Sequence, residues 1–431
     1  MEYARWETKE NMEKSIPLNK INRDTEINSS GLPMAYDEDY LYVDSKFSHS
    51  MVIGASGSGK TQTITLPMLE MSCRAGENVL IQDNMGELYE HTKDMFKENG
   101  YNVIRLDFNN ADNSSNGWNP FQLAYNFYKN KNTTGALDLI EDIAHYLLVD
   151  QNDFSGDSFW INSVVSYFTG LVLYLFENNN EVNLQSIYDL DSKVKDNVSE
   201  FMNKLDKEKL AYISLNNVLL APTDTRASIF ALFGQKIRRY VLRSNLMDIL
   251  CKNDLDISSF SDGKNIIYVN ASYAEASKHL LTLLITQLVY QIENEGYKKN
   301  ISVILDEFDN LLPIKDFSST LNVLRHSGVM FTIVIKSFNE IYDKYSKEEA
   351  DNLKNSFTNK LYLLSPDLNT LNEISQACGI GAIVDDHEIP LVTVEELKTF
   401  KMFEAIAIVP RMMPFRTKLL PYYAMKNKNV V

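Results

Sequence analysis

The chain has 431 residues, with 42 Lys and Arg against 58 Asp and Glu, a formal net charge of −16, and 44% apolar and 23% charged residues. That length holds two to three domains' worth of core, and the composition excludes a chain disordered throughout. The acidic excess excludes a protein that coats nucleic acid over its whole outer surface, so any such contact has to be local, in a patch or a channel. Cys73, Cys251 and Cys378 include no CxxC pair, which argues against a disulfide framework or a cysteine-built zinc site and fits a reducing compartment.

Residues 1–40 are polar and mixed in charge and read as a leading arm; MEYARWETKENMEK has no apolar run of the signal-peptide kind. Met51-Val52-Ile53 predicts a short strand that runs into a glycine-rich turn. Thr61 to Met71 has helical apolar spacing at Ile64, Met68 and Met71, with a kink expected at Pro67. Asn78 to Ile81 predicts a strand ending at Asp83, Gly86 to Glu98 a helix, and Tyr101 to Leu106 a strand. This β-α-β-α-β order predicts a parallel sheet with helices on its faces. NNADNSSNGWN (109–119) is a turn-rich loop before Pro120, and about 122 to 228 reads as helical without a strand.

Within that stretch, the uncharged run SFWINSVVSYFTGLVLYLF is long enough to cross a membrane. Asn162, Ser163, Ser166, Thr169 and Gly170 are spread through it without a basic flank, so a buried core helix is expected. No other segment reads as membrane-spanning. Strands resume at Ile266 to Val269, Ile301 to Leu305, Val329 to Ile335, Lys360 to Leu364 and Ala405 to Val409, with an apolar helix at His279 to Ile292. The expected fold is α/β: a nucleotide-binding domain with a predominantly parallel sheet, formed by 1–121 and 229–431, interrupted by an inserted all-α domain at 122–228.

Gly54-Ala55-Ser56-Gly57-Ser58-Gly59-Lys60-Thr61 matches GxxxxGK[ST] between a predicted strand and helix. The glycines permit a tight turn whose N–H groups wrap phosphate oxygens, Lys60 would reach the β- and γ-phosphates, and Thr61 would hold Mg²⁺. A plain glycine-rich turn needs neither the lysine nor this context. ATP and Mg²⁺ are therefore the expected ligands. Ile301-Ser302-Val303-Ile304-Leu305-Asp306-Glu307 is an apolar strand ending in two carboxylates; Asp306 is assigned to the metal and Glu307 to the attacking water. Alone, such a strand is more often followed by a solvated turn; paired with the glycine-rich loop it reads as the second half of a nucleotide site. Lys336-Ser337, after the strand Val329 to Ile335, would sense the γ-phosphate. Arg325, just before a turn, would serve as an arginine finger, against the plainer reading of a surface arginine at a helix end.

Lys236, Arg239 and Arg243 share a helical face at i, i+3 and i+7, beside an apolar stripe of Ile229, Phe233, Ile237 and Tyr240. They are the candidate contacts for a nucleic-acid backbone, against the plainer reading of a solvated face. Arg411, Arg416, Lys418, Lys426 and Lys428 form a weaker cluster. No base-reading motif is visible, so any contact would be sequence-independent.

Together these pieces resemble the type IV coupling proteins, the RecA-like ATPases that feed DNA or protein substrates into bacterial conjugation and type IV secretion machines. The resemblance runs over nearly the whole chain: Arg5-Trp6, the loop ending Gly59-Lys60-Thr61, Asp83…Gly86-Glu87-Leu88, Trp118-Asn119-Pro120, Phe159-Trp160, Asp306-Glu307-Phe308, Arg325…Gly328, Cys378-Gly379 and Arg411-Met412…Pro414-Phe415. It implies a RecA-like domain with an all-α insertion, a homo-hexameric ring around a channel for single-stranded DNA, and ATP sites shared between neighbours. It implies an ATPase that recruits and pumps single-stranded DNA or a relaxase–DNA complex, with relaxosome proteins and secretion-channel components as partners at the cytoplasmic face of the membrane. Arg325, 19 residues after Asp306, falls close to the family's trans-acting arginine. Two departures stand out: Lys336-Ser337 where the family usually carries Gln-Ser, and no N-terminal membrane anchor, which implies a cytosolic portion or recruitment by a partner. The alternatives are a nucleotide-regulated receptor for secreted protein with weak ATPase activity, and a related DNA-segregation or packaging ATPase.

Overall fold

The structure is a computed structural model and describes residues 3–8, 18–37, 40–44, 48–109, 115–150, 158–260, 262–271, 274–296 and 299–428. Part of the leading arm (9–17) and of the 109–119 loop (110–114) lies outside the described residues. Where an arm was expected, Asn19–Ile21 (β1), Leu32–Asp37 (β2) and Tyr40–Asp44 (β3) form an antiparallel sheet in the order β1-β3-β2. Leu32, Met34 and Leu41 are buried in one core with Leu66, Met68 and Phe96. The arm expectation is thus corrected for these residues. Their strands are short, with apolar side chains packed onto a helix distant in sequence, a contact that no local pattern announces.

Continuous apolar runs make strands covered on both faces. Ser50–Gly54 (β4), Asn78–Gln82 (β5), Asn102–Asp107 (β6), Asn265–Asn270 (β7), Ile301–Leu305 (β8), Val329–Ile335 (β9) and Asn359–Leu364 (β10) follow in the chain. Every residue of β4, β5, β8 and β9 is buried. After a hairpin of Ile380–Val384 (β11) and His387–Pro390 (β12), Glu404–Ile408 (β13) and Phe415–Lys418 (β14) complete the set. The large sheet has the order β14-β13-β10-β4-β9-β8-β5-β7-β6. β4 lies between β10 and β9, parallel to both, and β8 between β9 and β5, parallel to both; β13 and β14 run antiparallel at one edge. This is the expected α/β class, and the strand that leads into the phosphate loop sits well inside the sheet.

A buried histidine ties the start of that strand to its surroundings. His49 is 2% exposed. Its Nδ1 accepts the Phe331 N–H at 3.0 Å, so the proton rides on Nε2, which donates to the Leu321 carbonyl at 2.7 Å. One neutral ring thereby joins β4, β9 and the helix Phe317–His326. Burial pushes its pKa down to about 4; the Leu321 carbonyl works against this and the Arg325 charge with it. Between about pH 6.5 and 4 the unfolded chain binds a proton at this site that the folded chain refuses, so stability falls as pH falls, by about 3 kcal/mol across the window. His49→Gln can keep one donor and one acceptor without titrating. Thermal melts from pH 7 to 4.5 should show a shallower acid slope for the variant than for wild type; parallel slopes would remove this assignment.

The chain divides into two compact units, one of Met1–Val103, Ser261–Tyr268 and Glu295–Val431, the other of Ile104–Phe260 and Val269–Asn294. Among the described residues the second unit is built chiefly of helices, including Thr223–Val241, Ser244–Cys251 and most of Glu275–Glu295. It reaches beyond the expected 122–228 on both sides; on the C-terminal side the helix Thr223–Val241 runs straight through residue 228. Trp118 is buried and its backbone N–H donates to Ile249 at 2.9 Å, while the Asn119 amide donates to the Val182 carbonyl at 2.7 Å; Trp118-Asn119 pins this unit's loops. Ser158–Glu177 is long and apolar enough to cross a membrane, by length and composition only, yet over half of its most apolar window is buried within the fold. Gly170 lets Leu210–Leu219 approach closely, since a Cβ there would lie 2.4 Å from Leu215 Cγ.

Candidate nucleotide and metal site

The loop from Gly54 to Thr61 turns sharply between β4 and the helical segment that follows. Gly57 and Gly59 have φ of +77° and +89°, and a Cβ on Gly59 would lie 2.7 Å from the Phe403 ring, so both backbone freedom and space demand glycine there. The following segment opens with a π turn, Thr61–Thr65, whose closing bond runs from the Leu66 N–H to the Thr61 carbonyl. The α-helix Leu66–Ala75 then begins with Pro67 in its first turn, where a missing N–H costs nothing. Pro67, expected as a kink, thus stands at the junction where the π turn passes into the α-helix.

The loop faces a cleft at the C-terminal ends of β4, β5, β8 and β9, lined by Gly54, Ser56, Lys60 and Thr61 together with Gln82 to Met85, Glu87, Asp306, Glu307, Asp309, Lys336 and Glu340 among others. Ligands settle at such strand ends because loops there converge. Lys60 Nζ donates to the Gly54 and Ala55 carbonyls at 2.8 and 2.9 Å. Burial pushes its pKa down and the Asp306 charge pulls it back up. Among the described residues that line the cleft, the acids Asp83, Glu87, Asp306, Glu307, Asp309 and Glu340 outnumber the bases Lys60 and Lys336, so the cleft carries an excess of negative charge that calls for a cation.

Asp306 feels that excess most. Burial pushes its pKa up to about 6, with Lys60 opposing and Glu307 and Asp83 adding to the rise. Its Oδ1 is buried without a hydrogen-bond partner. An orphaned carboxylate oxygen in the cleft that Thr61 lines fits a hard divalent cation such as Mg²⁺. Glu307 is held differently. Its Oε2 accepts the amides of Asn84 at 2.6 Å and Asn310 at 2.7 Å, and its own N–H donates to Gln82 Oε1 at 3.2 Å. Asp83 accepts the N–H groups of Leu88 at 3.3 Å and Tyr89 at 2.7 Å at the start of the helix Glu87–Glu98; burial raises its pKa against those bonds.

Asp306→Asn removes the buried charge while keeping the shape. In magnesium-free buffer at pH 7 the variant should melt a few degrees higher than wild type, since an Asp pKa raised to about 6 marks a destabilising carboxylate worth ~2–3 kcal/mol. Adding Mg²⁺ should stabilise wild type and leave the variant unmoved. A variant that melts lower without the cation would contradict this account.

Lys336 lines the cleft, its Nζ 3.3 Å from Asp309 Oδ2 and its N–H bonded to Glu340 Oε1 at 2.9 Å. Burial lowers its pKa, but Asp309 and Glu340 outweigh that and raise it. Ser337 does not line the cleft, nor does Arg325, which stands exposed in the last turn of Phe317–His326. Of the remaining loop residues, Ala55, Gly57, Ser58 and Gly59 shape the turn without lining the cleft.

The basic face expected at Lys236, Arg239 and Arg243 requires correction. Lys236 is 5% exposed, and Asp150 takes both neighbours: Oδ2 accepts from Lys236 Nζ at 2.5 Å, and Arg239 binds bidentately at 2.7 Å to each oxygen. Against the cost of burial, these bonds hold the Asp150 carboxyl well below the usual carboxylate range. The helix ends at Val241, so Arg243 leaves that face and precedes the next helix, exposed. Asp150, Glu275 and His279 offer ligand atoms within 4.8 Å of one another, but Lys236 and Arg239 already neutralise the carboxylate a metal would need.

Gln82, Asn84, Asp309, Asn310 and Glu340 are site residues that motif reading passed over. Their one signal is position, at the end of, directly after or shortly beyond β5, β8 and β9.

Residues 1–389 match the family model described as type IV secretory system conjugative DNA transfer. A stretch of 152 residues is 23% identical to the type IV secretion system-coupling protein VirD4 of Bartonella quintana, and 24% to that of Bartonella henselae. The stretch takes in 34% of this chain and spans about a quarter, 24%, of the length of these curated relatives. Among solved structures, the unbound monoclinic form of the bacterial conjugative coupling protein TrwBdeltaN70 superposes with a TM-score of 0.66 at 13% identity, covering 97% of this chain and 94% of that one. The plasmid coupling protein TrwB in complex with ADP and Mg²⁺ gives 0.64 at 14% identity, with 94% and 95% covered. VirB4 of Thermoanaerobacter pseudethanolicus gives 0.57 at 13%, with 93% and 100% covered. At these identities the likeness is one of fold, a P-loop α/β architecture of the RecA kind.

Proposed function

We infer, from the premise that this chain belongs to the type IV secretory system conjugative DNA transfer family, that it is an ATP-driven coupling protein moving single-stranded DNA, free or bound to a relaxase, toward a secretion channel at the membrane. The observation that carries this is the gathering of Lys60, Thr61, Asp306 and Glu307 around one acidic cleft at the ends of the parallel strands β4 and β8, with β9 between them. There, Lys60 exchanges the Gly54 and Ala55 carbonyls for the β- and γ-phosphates of ATP, and Thr61 and Asp306 hold Mg²⁺. The bound Mg-ATP supplies a phosphoanhydride bond for hydrolysis. Glu307 orients the attacking water and takes its proton. Lys336, which lines the same cleft, answers to the γ-phosphate as a point charge where the family has an amide. Arg325, outside its own cleft, serves a neighbour's in a homo-hexamer. Arg243 is the proposed backbone contact that remains from the basic face.

A steady-state ATPase assay with and without single-stranded DNA, run alongside size measurement in ATP, tests the reading. Stimulation by DNA together with a ring-sized species is expected; nucleotide binding with no turnover under any condition would overturn it. The burial of Lys236 and Arg239 on Asp150 favours a second reading, a nucleotide-regulated receptor for protein substrates. DNA-indifferent ATPase activity with stable capture of a relaxase would select that one.

A further inference from the structure

We propose that Asn84 and Asn310 are positioning residues for hydrolysis, a pair of amides that grips the Glu307 carboxylate and leaves one oxygen to accept the proton. The inference deepens the reading of Glu307 as general base and rests on it. Two donors from different elements converge on one atom. Asn84 follows β5 and donates to Glu307 Oε2 at 2.6 Å. Asn310 closes the short 3₁₀ turn Phe308–Asn310 after β8 and donates to the same Oε2 at 2.7 Å.

Both donors are themselves anchored. Asp83, next to Asn84, accepts the Leu88 and Tyr89 N–H groups and so fixes that loop to the helix Glu87–Glu98. Asn310 is buried, and its N–H donates to the Glu307 carbonyl at 3.0 Å. The Glu307 N–H in turn reaches Gln82 at the end of β5. A glutamate at a strand end would otherwise swing about its terminal torsion, which is soft. Two amides on Oε2 and a fixed backbone remove that freedom and present Oε1 to the water. Asparagine suits the task because its NH₂ donates without carrying a charge that would neutralise the base.

The experiment compares kcat, KM, affinity for a fluorescent ATP analogue and thermal melting for wild type, Asn84→Ala, Asn84→Leu, Asn310→Ala, Asn310→Leu, Glu307→Gln and the Glu307→Gln/Asn84→Ala double variant. The leucines keep the approximate volume and remove the donors without adding a charge beside Glu307, so they separate positioning from folding. About a tenfold to hundredfold loss of kcat is expected for each asparagine variant, with analogue affinity and melting little changed. In the Glu307→Gln background the Asn84 change should cost nothing further, because the group it positions is already disabled. If Glu307→Gln is inactive while the asparagine variants turn over at the wild-type rate or faster, the positioning role is wrong and the general base stands. If Glu307→Gln itself turns over normally, the underlying reading fails instead.

Discussion

Glu307→Gln should lower ATP turnover by about a hundredfold to ten-thousandfold and leave ATP binding intact. Glutamine has the same shape, and its carbonyl oxygen can still accept the Asn84 and Asn310 amides that reach Glu307 Oε2 at 2.6 and 2.7 Å. It lacks the capacity to take a proton from water, and the cleft loses one of its six negative charges. The phosphate loop is untouched, since Lys60 is anchored on Gly54 and Ala55 rather than on Glu307. Binding and hydrolysis therefore separate cleanly in this variant. The measurement is single-turnover ATP hydrolysis beside equilibrium binding of a fluorescent ATP analogue. Loss of both together would mean that Glu307 builds the pocket, and preserved turnover would move the general base elsewhere among the cleft's carboxylates.

What could be read in advance, and what could not, follows from how far each residue's meaning extends along the chain. The phosphate loop was legible because its chemistry is local: a tight turn, a lysine and a hydroxyl at fixed spacing. Asp306-Glu307 was legible because an apolar strand of five residues ends on it. Asn84 looked like a turn residue, since its partner lies 223 positions away. Lys236 and Arg239 do share a helical face, as spacing required. Spacing does not say what a face meets, and Asp150, 86 positions upstream of Lys236, is what it meets. The acidic balance of −16 takes on a more local sense in the same way. Six of the acids crowd the cleft, where they make a cation a condition of binding a polyphosphate rather than an obstacle to nucleic acid.

Arg325→Ala should cost about a thousandfold or more in turnover, the scale of a lost arginine finger, although Arg325 lines no part of the cleft in its own chain. The residue stands exposed in the last turn of Phe317–His326, a helix held to β4 and β9 through His49. The same ring that supports the phosphate strand thus holds the helix bearing Arg325, while Arg325 itself lies outside its own cleft. On the proposed finger role, its charge would act on the transferred phosphoryl group of an adjacent copy. Mixing decides it. Glu307→Gln chains keep Arg325, Arg325→Ala chains keep Glu307, and each is inactive alone. In a randomly mixed ring at equal ratio, about a quarter of the clefts combine an intact Glu307 with an intact neighbouring Arg325. Activity should therefore recover toward that fraction of wild type, and only when nucleotide and DNA allow assembly. Demonstrated co-assembly without recovery would remove Arg325 from catalysis and leave it a surface arginine at a helix end.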